Sequence, residues 1–247
     1  MSPSVPPEVI AGISLSVQPL VFETGAVDYP YSTKGTVFLV GYEGKPYVVT
    51  TRHGLYPDSP PPICVFPSDT SLRLIPLNNV FFVPHADEQD DFMDLAIIEV
   101  DPAARADPEL NQATLINLAL AVEPDWESGA SNMEFFVIGY PCERSSIDND
   151  SQELRTDRVT LFGRYMGKSS LPHLHLFQVK NSQNLASFDG FSGSPVFMWS
   201  PSGLGRPKPI LCGMAIRGTA ASGLIHFLAV SVLLDALTIK RKQHEKQ

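Results

Sequence analysis

Apolar residues along this chain mostly alternate with polar ones or come in short unbroken blocks, and both are patterns of β-strands. Ile13-Ser-Leu-Ser-Val17 has the period of a half-buried strand. Two apolar blocks, residues 36–42 and 47–51, flank the turn sequence Glu43-Gly44-Lys45-Pro46 and read as a β-hairpin. Its second strand delivers Arg52 and His53 at its end. Further strands are expected at 63–66, 72–77, 80–83, 94–100, 134–140, 159–165, 175–179, 196–199, 210–216 and 225–230. The period changes only late in the chain. From Ser231 to Lys240 apolar residues fall three and four apart, which predicts an amphipathic helix with Ser231 as its N-cap. The cluster Lys240, Arg241 and Lys242 suits the negative end of the helix dipole and reads as a solvated helix end.

The segments between strands divide the chain. Residues 2–7 are rich in proline, and 1–12 read as a poorly ordered lead-in. Prolines 60–62 make a loop, and Asp87, Glu88, Asp90 and Asp91 an acidic one. Strand signal is weakest over 101–131, where 121–131 reads as a linker. Residues 144–151 read as a mobile surface loop. No internal repeat stands out. Two groups of short strands with one helix last predict an all-β protein of two packed β-barrels or sandwiches. The first unit spans 13–120 and the second 132–242, including the C-terminal helix.

Composition narrows the function. The chain has 247 residues, 43% of them hydrophobic, enough for a sizeable core. A net charge of -9 and a pI near 5.1 argue against a nucleic-acid surface. No apolar stretch approaches the length of a membrane span, and the N-terminus lacks the basic and apolar regions of a secretory signal. Cys64, Cys142 and Cys212 are odd in number and widely spaced, which predicts buried thiols rather than disulfides. The chain therefore reads as cytoplasmic.

Chemistry concentrates in Asp189-Gly190-Phe191-Ser192-Gly193-Ser194-Pro195. Two glycines let the backbone bend around Ser192, pushing its hydroxyl outward and freeing neighbouring amides. Such a turn before a strand is also ordinary composition, so the serine needs partners. Upstream stand Thr51-Arg52-His53-Gly54 and Asp94-Leu95-Ala96-Ile97. A serine hydroxyl needs a base to take its proton, and the imidazole needs a carboxylate to fix its tautomer. Asp94 competes with Asp87, Asp90 and Asp91, but it alone opens an apolar strand that can hold it rigidly. His173 and His175 could form half a metal site, and neither has a ligand-type partner nearby in sequence.

In this order His53, Asp94 and Ser192 resemble the triad of the trypsin-like, chymotrypsin-fold serine peptidases. The resemblance spans roughly residues 33–236. It includes the hairpin ending in His53, the strand opened by Asp94, Val137-Ile-Gly-Tyr-Pro141, Gly190-Phe-Ser-Gly-Ser-Pro-Val196 and Leu211-Cys-Gly-Met-Ala-Ile216. It implies two six-stranded antiparallel barrels with the site in the crevice between them. His53 and Asp94 would come from the first and Ser192 from the second. The amides of Gly190 and Ser192 would form the oxyanion hole, and no cofactor or metal is implied.

Phe191 stands where digestive members carry the aspartate that receives a cut N-terminus. The closer likeness is therefore to bacterial and intracellular types such as the HtrA core, with no room for a PDZ domain. The resemblance further places Ala186 at the floor of the specificity pocket, Ser187 in its wall and Gly218 at its entrance. His226 and Arg217 are possible modifiers, and a plain strand role for His226 stays open. A small apolar floor excludes Lys and Arg before the cut and favours Leu, Met or Phe. The expected function is a serine endopeptidase acting on protein or peptide substrates. The alternative is a catalytically silent trypsin-like fold serving as a binding module.

Overall fold

The computed structural model describes residues 5–55, 62–68, 71, 73–83, 94–106, 113–151, 153–200 and 207–244. Prolines 60 and 61, the acidic loop 87–91 with its aspartates, and residues 245–247 lie outside them. Helix α1 (Pro7–Ser14) occupies part of the expected lead-in and the start of the expected first strand. Pro7 sits in the first turn, where a missing N–H costs nothing, and Glu8 faces the positive end of the dipole. Val9, Ile10 and Ile13 pack against the core, so burial of one helical face overrides the alternation at 13–17.

The first half is a curled sheet of β1 (Val17–Glu23), β2 (Tyr31–Tyr42), β3 (Lys45–Thr50), β4 (Ile63–Cys64), β5 (Leu77–Phe82), β6 (Ala96–Val100) and β7 (Ile116–Asn117). The order is β4-β1-β2-β3-β6-β5, with β7 paired to β2 in parallel. The expected hairpin forms with positive φ at Glu43 (48°) and Gly44 (74°), the geometry of a tight two-residue turn. Among the described residues this sheet is not closed by a strand ladder, unlike the six-stranded barrel expected. Its edges approach through Ile75 N–H, which donates to Val65 O at 2.7 Å. Both faces are covered: Val37, Leu39, Val48 and Ile98 enter one core, while Phe38, Val40, Val49 and Ile97 join the other. Burial on both faces explains why these strands read as unbroken apolar blocks.

The connection holds two short helices, α2 (Leu118–Ala121) and α3 (Trp126–Gly129). Then follow β8 (Glu134–Gly139), β9 (Ser145–Asp148), β10 (Glu153–Thr156), β11 (Val159–Lys168), β12 (Leu174–Val179), β13 (Pro195–Ser200), β14 (Lys208–Thr219) and β15 (Leu224–Ala229). Six of these close a barrel in the order β11-β12-β15-β14-β13-β8. The expected loop at 144–151 is instead half of a hairpin, because β9 pairs with β10 through Ser145 opposite Thr156. Helix α4 (Val230–His244) begins one residue before the expected cap. Its Lys240 is buried against Glu99 of β6, so it is not a solvated helix end.

His175 lies inside the second barrel's aromatic cluster, against Trp126, Tyr165 and Phe227. His173 sits in the turn before β12 with φ 61°, so the two histidines do not share a strand face. No group of His, Cys, Asp and Glu among the described residues is placed to hold a metal. Burial pushes the His175 pKa down, with Lys168 and His173 adding to it and Glu127 opposing. Tyr165 is pushed up to about 12, chiefly by burial, and its neutral hydroxyl shares a hydrogen bond with His175 Nδ1 at 2.8 Å. His226 is also lowered, by burial and then Arg217.

A histidine depressed in the folded state leaves the unfolded chain to bind protons first. Its stability contribution is full above the ordinary value of 6.5 and is lost as pH falls from there toward the lowered folded pKa. The melting temperature should therefore drop from pH 7.5 to 5.5, and His175→Gln should flatten that slope. An unchanged slope in His175→Gln would contradict this assignment.

Candidate active site

Register explains how His53 and Asp94 meet. Thr50 of β3 lies opposite Ala96 of β6, so the segments just beyond the ladder run side by side. His53 opens a short 3₁₀ turn there, and Asp94 stands two residues before β6. The Asp94 carboxylate is used on both oxygens: Oδ1 accepts the His53 backbone N–H at 2.8 Å, and Oδ2 lies 2.5 Å from His53 Nδ1. This bidentate hold fixes the ring and leaves Nε2 as the nitrogen able to take a proton. The carboxylate side chain is 13% exposed and the imidazole 50%, so one is held inside and the other faces the crevice.

The serine loop is pinned to the first half by Thr36. Its backbone N–H donates to Ser192 O at 2.9 Å, and its hydroxyl donates to Gly190 O at 2.7 Å while accepting Tyr140 N–H at 3.0 Å. Gly190 and Gly193 have φ of 95° and 90°. A Cβ at Gly193 would collide with Thr36 O and Thr50 Oγ1, and one at Gly190 with Tyr140 O and Cys142 N. Both positions demand glycine for conformation and for space.

The Asp189 carbonyl accepts Cys142 N–H at 2.8 Å, which turns the Gly190 N–H of the same trans peptide the opposite way. Neither the Gly190 nor the Ser192 amide donates to an acceptor among the described residues. Ser192 Oγ donates to Ile216 O at 2.9 Å. To reach His53 it must leave that carbonyl, a neutral hydrogen bond worth roughly 1 kcal/mol.

His53, Asp94, Phe188, Asp189, Ser192, Ile216, Arg217 and Gly218 line one crevice of ≈ 320 Å³. The other expected pocket residues are not in its lining. Ala186 is exposed, and the amides of Ala186 and Ser187 donate to Glu143 Oε2 at 2.9 and 3.3 Å. His226 lies on β15 opposite Arg217 of β14, with its Nδ1 buried and unpartnered among the described residues. A Cβ built on Gly218 would stand 2.9 Å from Ile225 Cγ1 and 3.0 Å from Phe188 Cδ2. Phe188 and Ile225 thus stand directly against Gly218. Phe188 is buried and packs on Phe191, while Ala186 two residues earlier is exposed.

Burial raises the Cys142 thiol, with Asp189 adding to it, so the cysteine nearest the loop is held as a neutral thiol. All three cysteines are free. Thr36, Cys142, Glu143, Phe188 and Ile225 had no distinguishing signal in sequence. A threonine in an apolar strand reads as a strand former, and a backbone amide leaves no mark on a sequence.

The two halves and the crevice between them define a chymotrypsin-like fold. A solved Glu endopeptidase, in complex with MPD, shares it at a TM-score of 0.58, covering 92% of this chain and 90% of that one. The two are 12% identical, a likeness that carries the fold alone. No protein-family model and no curated protein matches the chain. No helix among the described residues is long and apolar enough to cross a membrane.

Proposed function

We propose that this chain is a serine endopeptidase, with Ser192 as nucleophile, His53 as general base and then acid, and Asp94 as the orienting carboxylate. The observation that carries the reading is the convergence of the Asp94-held imidazole and Ser192 on one crevice beside two unengaged amides. In the proposed cycle Ser192 Oγ leaves Ile216 O, attacks the substrate carbonyl carbon and passes its proton to His53 Nε2. The oxyanion is held by the N–H groups of Gly190 and Ser192. Collapse expels the amine, protonated by His53, and water then hydrolyses the acyl ester by the same route. The fold shared with a Glu endopeptidase supports a protein or peptide substrate. Three free thiols accord with a cytoplasmic setting. Likeness to the HtrA core rests on the sequence motifs alone.

Labelling with a fluorophosphonate, with the modified residue mapped by mass spectrometry, tests the reading. Label on Ser192 is expected, and an unlabelled protein would favour the silent binding module. Cut-site preference follows from Phe188 and Ile225. With Phe188 and Ile225 close against Gly218, the residue before the cut should be small and uncharged, rather than the Leu, Met or Phe expected from sequence. Lys and Arg should remain poor. Cleavage of a peptide library checks this: Gly, Ala or Ser should dominate, and Phe188→Ala should widen the choice toward larger apolar residues. A dominant basic or aromatic residue in the unmodified protein would sink the assignment.

A further inference from the structure

The short turn Cys142–Arg144 touches the approach to the oxyanion loop at four places. Cys142 N–H donates to Asp189 O at 2.8 Å, and Arg144 Nη2 donates to Gln183 O at 2.9 Å. Between them, Glu143 Oε2 accepts the amides of Ala186 and Ser187. Ser187 Oγ in turn accepts Asp189 N–H at 3.0 Å, which carries the constraint to the Phe188–Asp189 peptide, directly before the one bearing the Gly190 amide. Residues 183–189 otherwise form no strand or helix. Phe191 has no carboxylate with which a chain terminus could fix this segment, and its ring is buried on Phe188.

Resting on the endopeptidase reading above, we infer that Glu143 is a positioning residue of the oxyanion site. Its carboxylate holds residues 186–189 so that the Asp189–Gly190 peptide keeps its carbonyl on Cys142 and its N–H toward the crevice. The hole is thereby formed without a newly cut N-terminus. Glu143 touches no substrate. It acts through the fraction of molecules whose Gly190 amide faces the reacting oxygen, so its loss lowers kcat and leaves substrate binding nearly alone.

The test uses the full chain and three forms: unmodified, Glu143→Ala and Glu143→Gln. Read for each are the fluorophosphonate labelling rate, the kcat and KM for the best-cleaved library peptide, and the melting temperature. Glu143→Ala should label about tenfold more slowly and lose about tenfold in kcat, with KM within about twofold. Glu143→Gln keeps an acceptor oxygen for the two amides and should recover most of both rates. Glu143→Ala with unmodified labelling and kcat overturns the inference, including when its melting temperature falls, since the residue is then structural only. Glu143→Gln as slow as Glu143→Ala also overturns it, because an amide-accepting oxygen is then not what matters. An unmodified protein that takes no label removes the endopeptidase reading itself, which separates that failure from this one.

Discussion

Ser192→Ala is expected to lower turnover about a millionfold while the fold survives. The residual rate would reflect binding and the two amides alone. The substitution removes one hydroxyl, whose only bond among the described residues is to Ile216 O, so little stability is lost with it. His53→Ala should cost about as much, because base and nucleophile act as a unit and the second loss adds little to the first. Asp94→Asn should cost less than either but still about ten-thousandfold, since one of the two accepting oxygens becomes an NH2 donor facing either the His53 backbone N–H or Nδ1–H. Steady-state hydrolysis of the best library peptide, with circular dichroism to verify folding, measures all three. Turnover retained in Ser192→Ala would assign the chemistry elsewhere.

Sequence carried most of the strands, though 73–76 is irregular and β5 begins only at Leu77, and it singled out His53, Asp94 and Ser192, which line one crevice, because both readings depend on local periodicity and on residues with distinctive chemistry. The hairpin at 43–44 and the apolar blocks around it follow from turn chemistry and two-sided burial. The misreadings are all cases where tertiary contact decided. Helix α1 forms because Val9, Ile10 and Ile13 find one core face, although 13–17 alternates. Ala186, Ser187 and His226 are not in the crevice lining, and side-chain direction along 185–189, with Phe188 packed on Phe191, is something no spacing reveals. Thr36 was invisible for a different reason. Its role lies in a hydroxyl shared between Gly190 and Tyr140, distant in sequence and adjacent only once both halves pack.

Lys240 makes the sharpest case, because sequence placed it in solvent and the structure buries it. Its Nζ stands 3.2 Å from Glu99 Oε2, with the two side chains only 6% and 10% exposed. The pair ties α4 to β6, while Tyr42 with Thr238 and Glu43 with Arg241 bind the same helix to β2 and the hairpin turn. The stripe of α4 that carries Lys240 also packs Leu233, Ala236 and Leu237, with Val232 beside them, into the core shared with the second barrel. The helix thus bridges the half carrying His53 and Asp94 and the half carrying Ser192. Removing the carboxylate strands the buried Lys240 ammonium, so Glu99→Ala should destabilise by about 3–5 kcal/mol. Replacing both with apolar residues of similar size, as in Glu99→Leu with Lys240→Met, should be nearly neutral or stabilising, because two desolvation costs vanish together. Denaturant midpoints at constant slope measure the cycle. A cost below about 1 kcal/mol for Glu99→Ala would mean that water reaches the pair and that it behaves as a surface ion pair.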